Sequence, residues 1–201
     1  MRDVPRCGFL PRRGERTAGR APSDLTRQRA GAGVSGSPYG GVMSGITYVR
    51  GDATVPSVKG VTIVAHVCND IGGWGKGFVL ALSRRWPEPE AAYRAWHRDR
   101  ASNDFALGAV QLVQVERYAW VANMIGQRGT RTGSKGVPVR YEAIDTALTR
   151  LADHAADLKA SVHMPRIGCG LAGGKWSRVE PLITERLVER GIPVTVYDHG
   201  D

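Results

Sequence analysis

This sequence predicts an α/β domain of three layers, with helices on both faces of a mixed central sheet. Two observations carry that prediction. Short β-branched runs alternate along the chain with segments of helical periodicity, and two glycine-rich turns each follow a strand-like run. The length of 201 residues adds a third, because it suits one full domain with an appendage rather than two large domains.

The elements follow in order. Residues 46–50 and 61–67 read as strands, and 109–115 and 118–125 lie so close together that an antiparallel hairpin is expected. A helix is expected through Leu80, Ala81 and Leu82. Ile144, Ala147, Leu148, Leu151, Ala152, Ala155 and Leu158 recur at helical spacing and need a sheet to cover them. Residues 162–167 read as a strand. Val179, Leu182, Ile183 and Leu187 mark a further helix, for which Ser177-Arg-Val-Glu180 is a candidate capping box with Pro181 just inside. Gly191 and Pro193 stop that helix, and 194–197 closes the chain as a strand.

Composition narrows the classes. Hydrophobic residues at 42% and charged residues at 23% fit a globular protein, and runs such as 61–68 fall far short of the roughly 20 apolar residues that span a bilayer. Cys7, Cys68 and Cys169 form no CxxC pair, so neither a disulfide framework nor a metal site is expected, and a cytoplasmic setting fits. Residues 1–42 hold eight arginines against Asp3, Glu15 and Asp24, which places +5 of the net +9 in a stretch without hydrophobic period. That stretch reads as a disordered basic tail: it is Arg-rich like a transit peptide but lacks a sustained amphipathic pattern, and otherwise reads as a basic arm or as a segment ahead of the true start at Met43. The domain is expected over 44–201, with nucleic acid not expected as a partner and no membrane association.

Two loops carry the chemistry. The first is Cys68-Asn-Asp-Ile-Gly-Gly-Trp-Gly-Lys-Gly-Phe78 and the second is Gly168-Cys-Gly-Leu-Ala-Gly-Gly174, each after a strand and before a helix. Backbone free of side chains lets N–H groups and a helix dipole converge on an anion, although a tight turn with a helix cap reads the same way. Neither loop fits GxxxxGK[ST], since Asp70 and Cys169 stand where its first glycine belongs. Gly168-x-Gly170-x-x-Gly173 matches a dinucleotide fingerprint, but only one helix and one strand follow it. Two such loops suggest a ligand with two phosphates.

Ile46-Thr-Tyr-Val-Arg-Gly-Asp52, the run His66 to Phe78, Arg85-Trp-Pro87 and Met164-Pro-Arg-Ile-Gly-Cys-Gly-Leu171 together resemble the macrodomain family. The resemblance covers about 45–199 and is to the branch holding terminal ADP-ribose glutamate glycohydrolases and ADP-ribose 1″-phosphate phosphatases. It implies a three-layer α/β/α macrodomain that binds ADP-ribose and ADP-ribosylated protein, with no cofactor and no metal. Asp52, with Ala53, would meet adenine. Gly73, Trp74, Gly75, Lys76, Gly77 and Phe78 would hold the distal ribose and one phosphate. Ile167, Gly168, Cys169, Gly170 and Leu171 would hold the rest of the diphosphate, and His199 would pack near adenine.

Members acting through a lysine adduct carry Lys before the aromatic of the first helix and Asp after Gly-Cys-Gly-Leu. Here Ser83-Arg84-Arg85 precedes Trp86, and Ala172 replaces the acid. Arginine stays protonated and cannot be that nucleophile. The remaining catalytic candidates are Asn69, to orient water or the ribose hydroxyls, and His66, as base or as a support for the loop. On an apolar strand His66 equally fits a satisfied core histidine. The expected function is removal of ADP-ribose from acidic side chains of modified proteins. ADP-ribose 1″-phosphate dephosphorylation and non-catalytic reading of ADP-ribose are the alternatives.

Overall fold

The computed structural model describes residues 45–133 and 136–198. The expectations for the tail, for Cys7 and for His199 lie outside these. The elements are β1 (Thr47–Arg50), β2 (Thr62–Asn69), α1 (Phe78–Arg85), α2 (Glu88–Arg98), β3 (Val110–Glu116), β4 (Ala119–Gln127), α3 (Tyr141–Leu158), β5 (Ser161–Pro165), α4 (Trp176–Ile183) and β6 (Val194–Asp198). The sheet runs β1-β6-β5-β2-β4-β3 and is parallel throughout except for the β3–β4 pair, which is the expected hairpin.

β2 lies centrally between β4 and β5 and is buried on both faces, which is why its sequence is a nearly unbroken apolar run rather than an alternation. Its Ile63 and Ala65 face α3 and α4, in one core with Ala122, Met124, Val162, Met164, Val194 and Val196. Val64 faces α1, beside Leu82 and Trp86, and Cys68 faces Tyr93 and Trp96 of α2. Helices therefore cover both faces, giving the three-layer fold. α3 buries Ile144, Ala147, Leu148, Leu151, Ala152 and Ala155 as its period predicts, with Leu158 half-buried, and stops at Lys159, which is left-handed at φ 50°.

Two departures matter. α2 carries no sequence expectation, yet its prolines occupy the first turn, where a missing N–H costs nothing, and Tyr93 and Trp96 anchor it. The capping box at Ser177 does not form. α4 begins at Trp176 after Lys175, with no side-chain cap, so Ser177 is already helical, and Glu180 instead accepts the Tyr48 hydroxyl. Pro181 sits inside α4, which widens into a π turn over Thr184–Val188 directly after it ends.

Among the described residues no helix is long and apolar enough to cross a membrane. None of the His, Cys, Asp and Glu side chains there form a group of three that could hold a metal ion.

β2 and β5 are adjacent and parallel, and the chain leaves them in opposite directions, to α1 on one face and toward α4 on the other. A crevice opens where such connections diverge, at the carboxyl ends of the strands. Both glycine loops therefore stand at one edge of the sheet.

Candidate ligand cleft

The crevice is a cleft of about 590 Å³. Of the residues expected to bind, Gly73, Trp74, Gly75, Lys76, Gly77, Phe78, Ile167, Gly168, Gly170 and Leu171 line it, with His66 and Asn69 at its base. Cys169 does not; it packs half-buried against the main core, and burial pushes its thiol upward. A third wall went unread in the sequence: Gln127, Thr130 and Arg131, which follow β4 because β4 pairs with β2. Asp70 secures that wall by accepting the Gly129 amide at 2.7 Å.

The first loop offers donors. The amides of Gly75, Lys76 and Gly77 find no acceptor among the described residues, and they lead into the N-terminus of α1 at Phe78. Gly77 holds φ 76°, and a Cβ there would lie 3.5 Å from Leu171 Cδ1, so the tips of the two loops meet across the cleft. In the second loop the amides of Gly170, Leu171 and Ala172 are likewise without acceptors among the described residues, while Gly174 donates to the Gly168 carbonyl at 2.8 Å. α4 begins too late to contribute, because the lining stops at Ala172. Strand, turn and helix follow one another at both loops, but only α1 brings its N-terminus to the cleft.

Charge favours an anion. Lys76, Arg131 and Arg166 line the cleft, and among the described residues no carboxylate does. Arg166 is anchored bidentately to Asp198 at 2.5 and 3.0 Å, which raises the guanidinium and lowers the carboxyl. Arg84 and Arg85 do not line the cleft, whereas Ala172 does.

Asn69 is committed to the loop. Its Nδ2 donates to the Gly73 carbonyl at 2.6 Å, and its Oδ1 accepts the amides of Ile71 at 3.1 Å and Gly73 at 2.9 Å. The Tyr93 hydroxyl lies 3.0 Å from the same oxygen.

His66 is buried and lies edge-on to Trp74, with centroids 5.4 Å apart. Its Nε2 is 2.6 Å from Asn123 Oδ1, and Asn123 Nδ2 donates to Pro89 and Gln111, so Oδ1 is the acceptor and the His66 proton sits on Nε2. Burial pushes His66 down to about 4, against the pull of that hydrogen bond, and burial likewise takes His163 to about 4. Both are neutral in the fold and would charge on unfolding at mild acid. Stability is therefore expected to be intact above pH 6.5 and to fall as pH drops from there toward 4. The fall is at most about 1.4 kcal/mol per pH unit for each histidine. Urea titrations at pH 7.5, 5.5 and 4.5 check this, and stability rising toward acid would contradict it.

Asp52 stands apart from the first cleft. Its Oδ1 accepts the Thr54 amide at 2.8 Å, and it lines a second cleft of about 480 Å³ with Arg50, Val55, Val58 and Tyr197. Ala53 is buried and lines neither cleft. The clefts are neighbours, since the β5–β6 register sets Pro165 of the first beside Tyr197 of the second. Tyr197 likewise carries no sequence expectation as a cleft residue. Its hydroxyl lies 3.1 Å from His163 Nδ1, which fixes the ring at the cleft wall.

Comparison with known proteins gives the following. No family model matches the chain. The structure of a macrodomain protein from Streptomyces coelicolor is 77% identical, with a TM-score of 0.70, and is covered over 99% of its length by 77% of this chain. An ADP-ribose 1″-phosphate phosphatase from Lodderomyces elongisporus is 26% identical over 149 residues, which are 69% of this chain and 90% of that protein. A chromodomain-helicase-DNA-binding protein 1-like from Danio rerio is 33% identical over 161 residues. That match takes in 76% of this chain but only 15% of the relative's length.

Proposed function

Because the chain belongs to the macrodomain family, we propose that it binds ADP-ribose and hydrolyses the bond at C1″ of the distal ribose, releasing ADP-ribose from acidic side chains of modified proteins. We place this activity in residues 44–201. The observation that carries the reading is the pair of facing glycine loops with unpartnered amides at one sheet edge, next to a second cleft that holds Asp52. Diphosphate and distal ribose occupy the first cleft, and adenine reaches toward Asp52.

The groups that line the cleft support an acidic linkage. Among the described residues no carboxylate lines it, and His66 is buried and neutral, so neither a carboxyl nor His66 is available there to protonate a leaving atom. A carboxylate leaves as a stable anion near its ordinary pKa of about 4, without a proton, and Lys76 and Arg131 would stabilise charge near it. Water then adds to C1″ and releases its proton to solvent. His66 serves this site as a support beneath Trp74 rather than as the base. With Arg84 and Arg85 in place of lysine and Ala172 in place of the acid, no lysine adduct is formed.

The same leaving-group argument applies to a phosphate, and the Lodderomyces elongisporus relative is named for ADP-ribose 1″-phosphate. One experiment sorts the readings: calorimetry with ADP-ribose, NAD and ATP, then turnover of ADP-ribosyl-glutamate peptide and of ADP-ribose 1″-phosphate. ADP-ribose is expected to bind at least about tenfold tighter than NAD or ATP, with ADP-ribose released from the glutamate ester. Phosphate release alone identifies the phosphatase, and tight binding without turnover of either substrate identifies a reader. Equal affinity for NAD would overturn the assignment of the cleft.

A further inference from the structure

The first glycine loop is held from behind by a closed circuit of hydrogen bonds. The Trp74 indole Nε1 donates to Ser83 Oγ at 2.8 Å, and Ser83 Oγ donates to Glu90 Oε2 at 2.9 Å. Arg94 Nε donates to the other carboxylate oxygen, Oε1, at 2.9 Å, and Arg94 Nη2 donates to the Trp74 carbonyl at 3.2 Å. The circuit ends on the residue where it began, so α1 and α2 grip Trp74 by both side chain and backbone. None of Ser83, Glu90 or Arg94 lines the cleft.

An Arg–Glu pair four residues apart on a helix is ordinarily a minor surface contact. Here each oxygen of Glu90 has its own partner, and the second nitrogen of Arg94 reaches the loop. The loop needs outside support, because Gly72, Gly73, Gly75 and Gly77 give it no stiffness of its own. Of its other members, Lys76 is exposed and Trp74 is the one that can be gripped. Trp74 also packs against Tyr93, the rings tilted at 42° with centroids 5.5 Å apart. Amides that bind an oxyanion act best when they are ordered before it arrives, since ordering them on binding subtracts from affinity.

The geometry points to Glu90, with Ser83 and Arg94, as positioning residues that set the first loop for its ligand without touching it. This rests on the reading that the loop binds ADP-ribose.

The test is calorimetry with ADP-ribose on the full chain and on Glu90→Ala, Glu90→Gln, Arg94→Ala and the double alanine variant. It is paired with NMR measurement of hydrogen exchange at the Trp74 indole and the Gly73 amide in the free proteins. Glu90→Ala is expected to weaken binding about tenfold with little change in Tm. Glu90→Gln should recover most of that, since its amide accepts from Arg94 and donates to Ser83. The double variant should bind no more weakly than the worse single one. Exchange should quicken at Trp74 and Gly73 and hold steady along α3 in Glu90→Ala. Unchanged affinity in Glu90→Ala, or exchange rising equally across the domain, overturns the inference. Failure of the unaltered chain to bind ADP-ribose would overturn the functional reading instead, and the exchange measurement still decides whether the clamp orders the loop.

Discussion

Gly77→Val is expected to abolish ADP-ribose binding, weakening it at least about a hundredfold, while the domain stays folded. Gly77 sits at φ 76° as the residue that caps α1, and a β-branched side chain held there costs about 1 to 3 kcal/mol of strain. The chain escapes that strain by rotating the peptide units beside it, which carry the unpartnered amides of the cleft lining. A side chain there also drives against Leu171, which already lies at contact distance. The domain survives because Gly77 is exposed and outside the core. Calorimetry and a thermal melt read the two effects separately. An affinity within threefold of the unaltered chain would remove the first loop from the ligand site.

Asn69→Ala is expected to lower stability and binding together. The change strands the Ile71 and Gly73 amides, the Gly73 carbonyl and one contact of the Tyr93 hydroxyl in a partly buried loop, where each lost partner costs up to about 1 to 3 kcal/mol. Relaxation of the loop recovers part, leaving a loss of about 2 to 4 kcal/mol, or a Tm lower by roughly 5 to 10 °C for a domain of this size. Had Asn69 only oriented water, turnover would fall while Tm and affinity held. That split, seen by calorimetry, a thermal melt and single-turnover kinetics, is the outcome that contradicts the structural assignment.

What could be read from the sequence was what repeats. β2 and the buried stripe of α3 declare themselves by composition and period, and the two loops by glycines that no regular element would tolerate together. α2 stayed hidden because Pro87 and Pro89 look like breakers until their place in the first turn is known. Gln127, Thr130 and Arg131 join the cleft only through the register of β2 with β4, which local pattern does not encode. Tyr197 was passed over for a similar reason: strand alternation sends Val194 and Val196 into the core and leaves Tyr197 facing the second cleft. Asn69 was singled out to orient water or the ribose hydroxyls, whereas its hydrogen bonds to Gly73 and Ile71 depend on a loop fold that only coordinates reveal.

The position of β6 between β1 and β5 has a consequence for how the molecule is made. Thr47 pairs with Thr195, 195 − 47 = 148 residues later. At the usual pace of synthesis, about 5 to 20 residues per second, the first strand emerges from the ribosome roughly 7 to 30 seconds before its sheet neighbour exists. β2, β3, β4 and β5 can pair in that interval, so the cleft between the two glycine loops is shaped while the chain is still growing. The end that holds Asp52 and Tyr197 is completed last, when the final strand slides in and closes two open sheet edges at once.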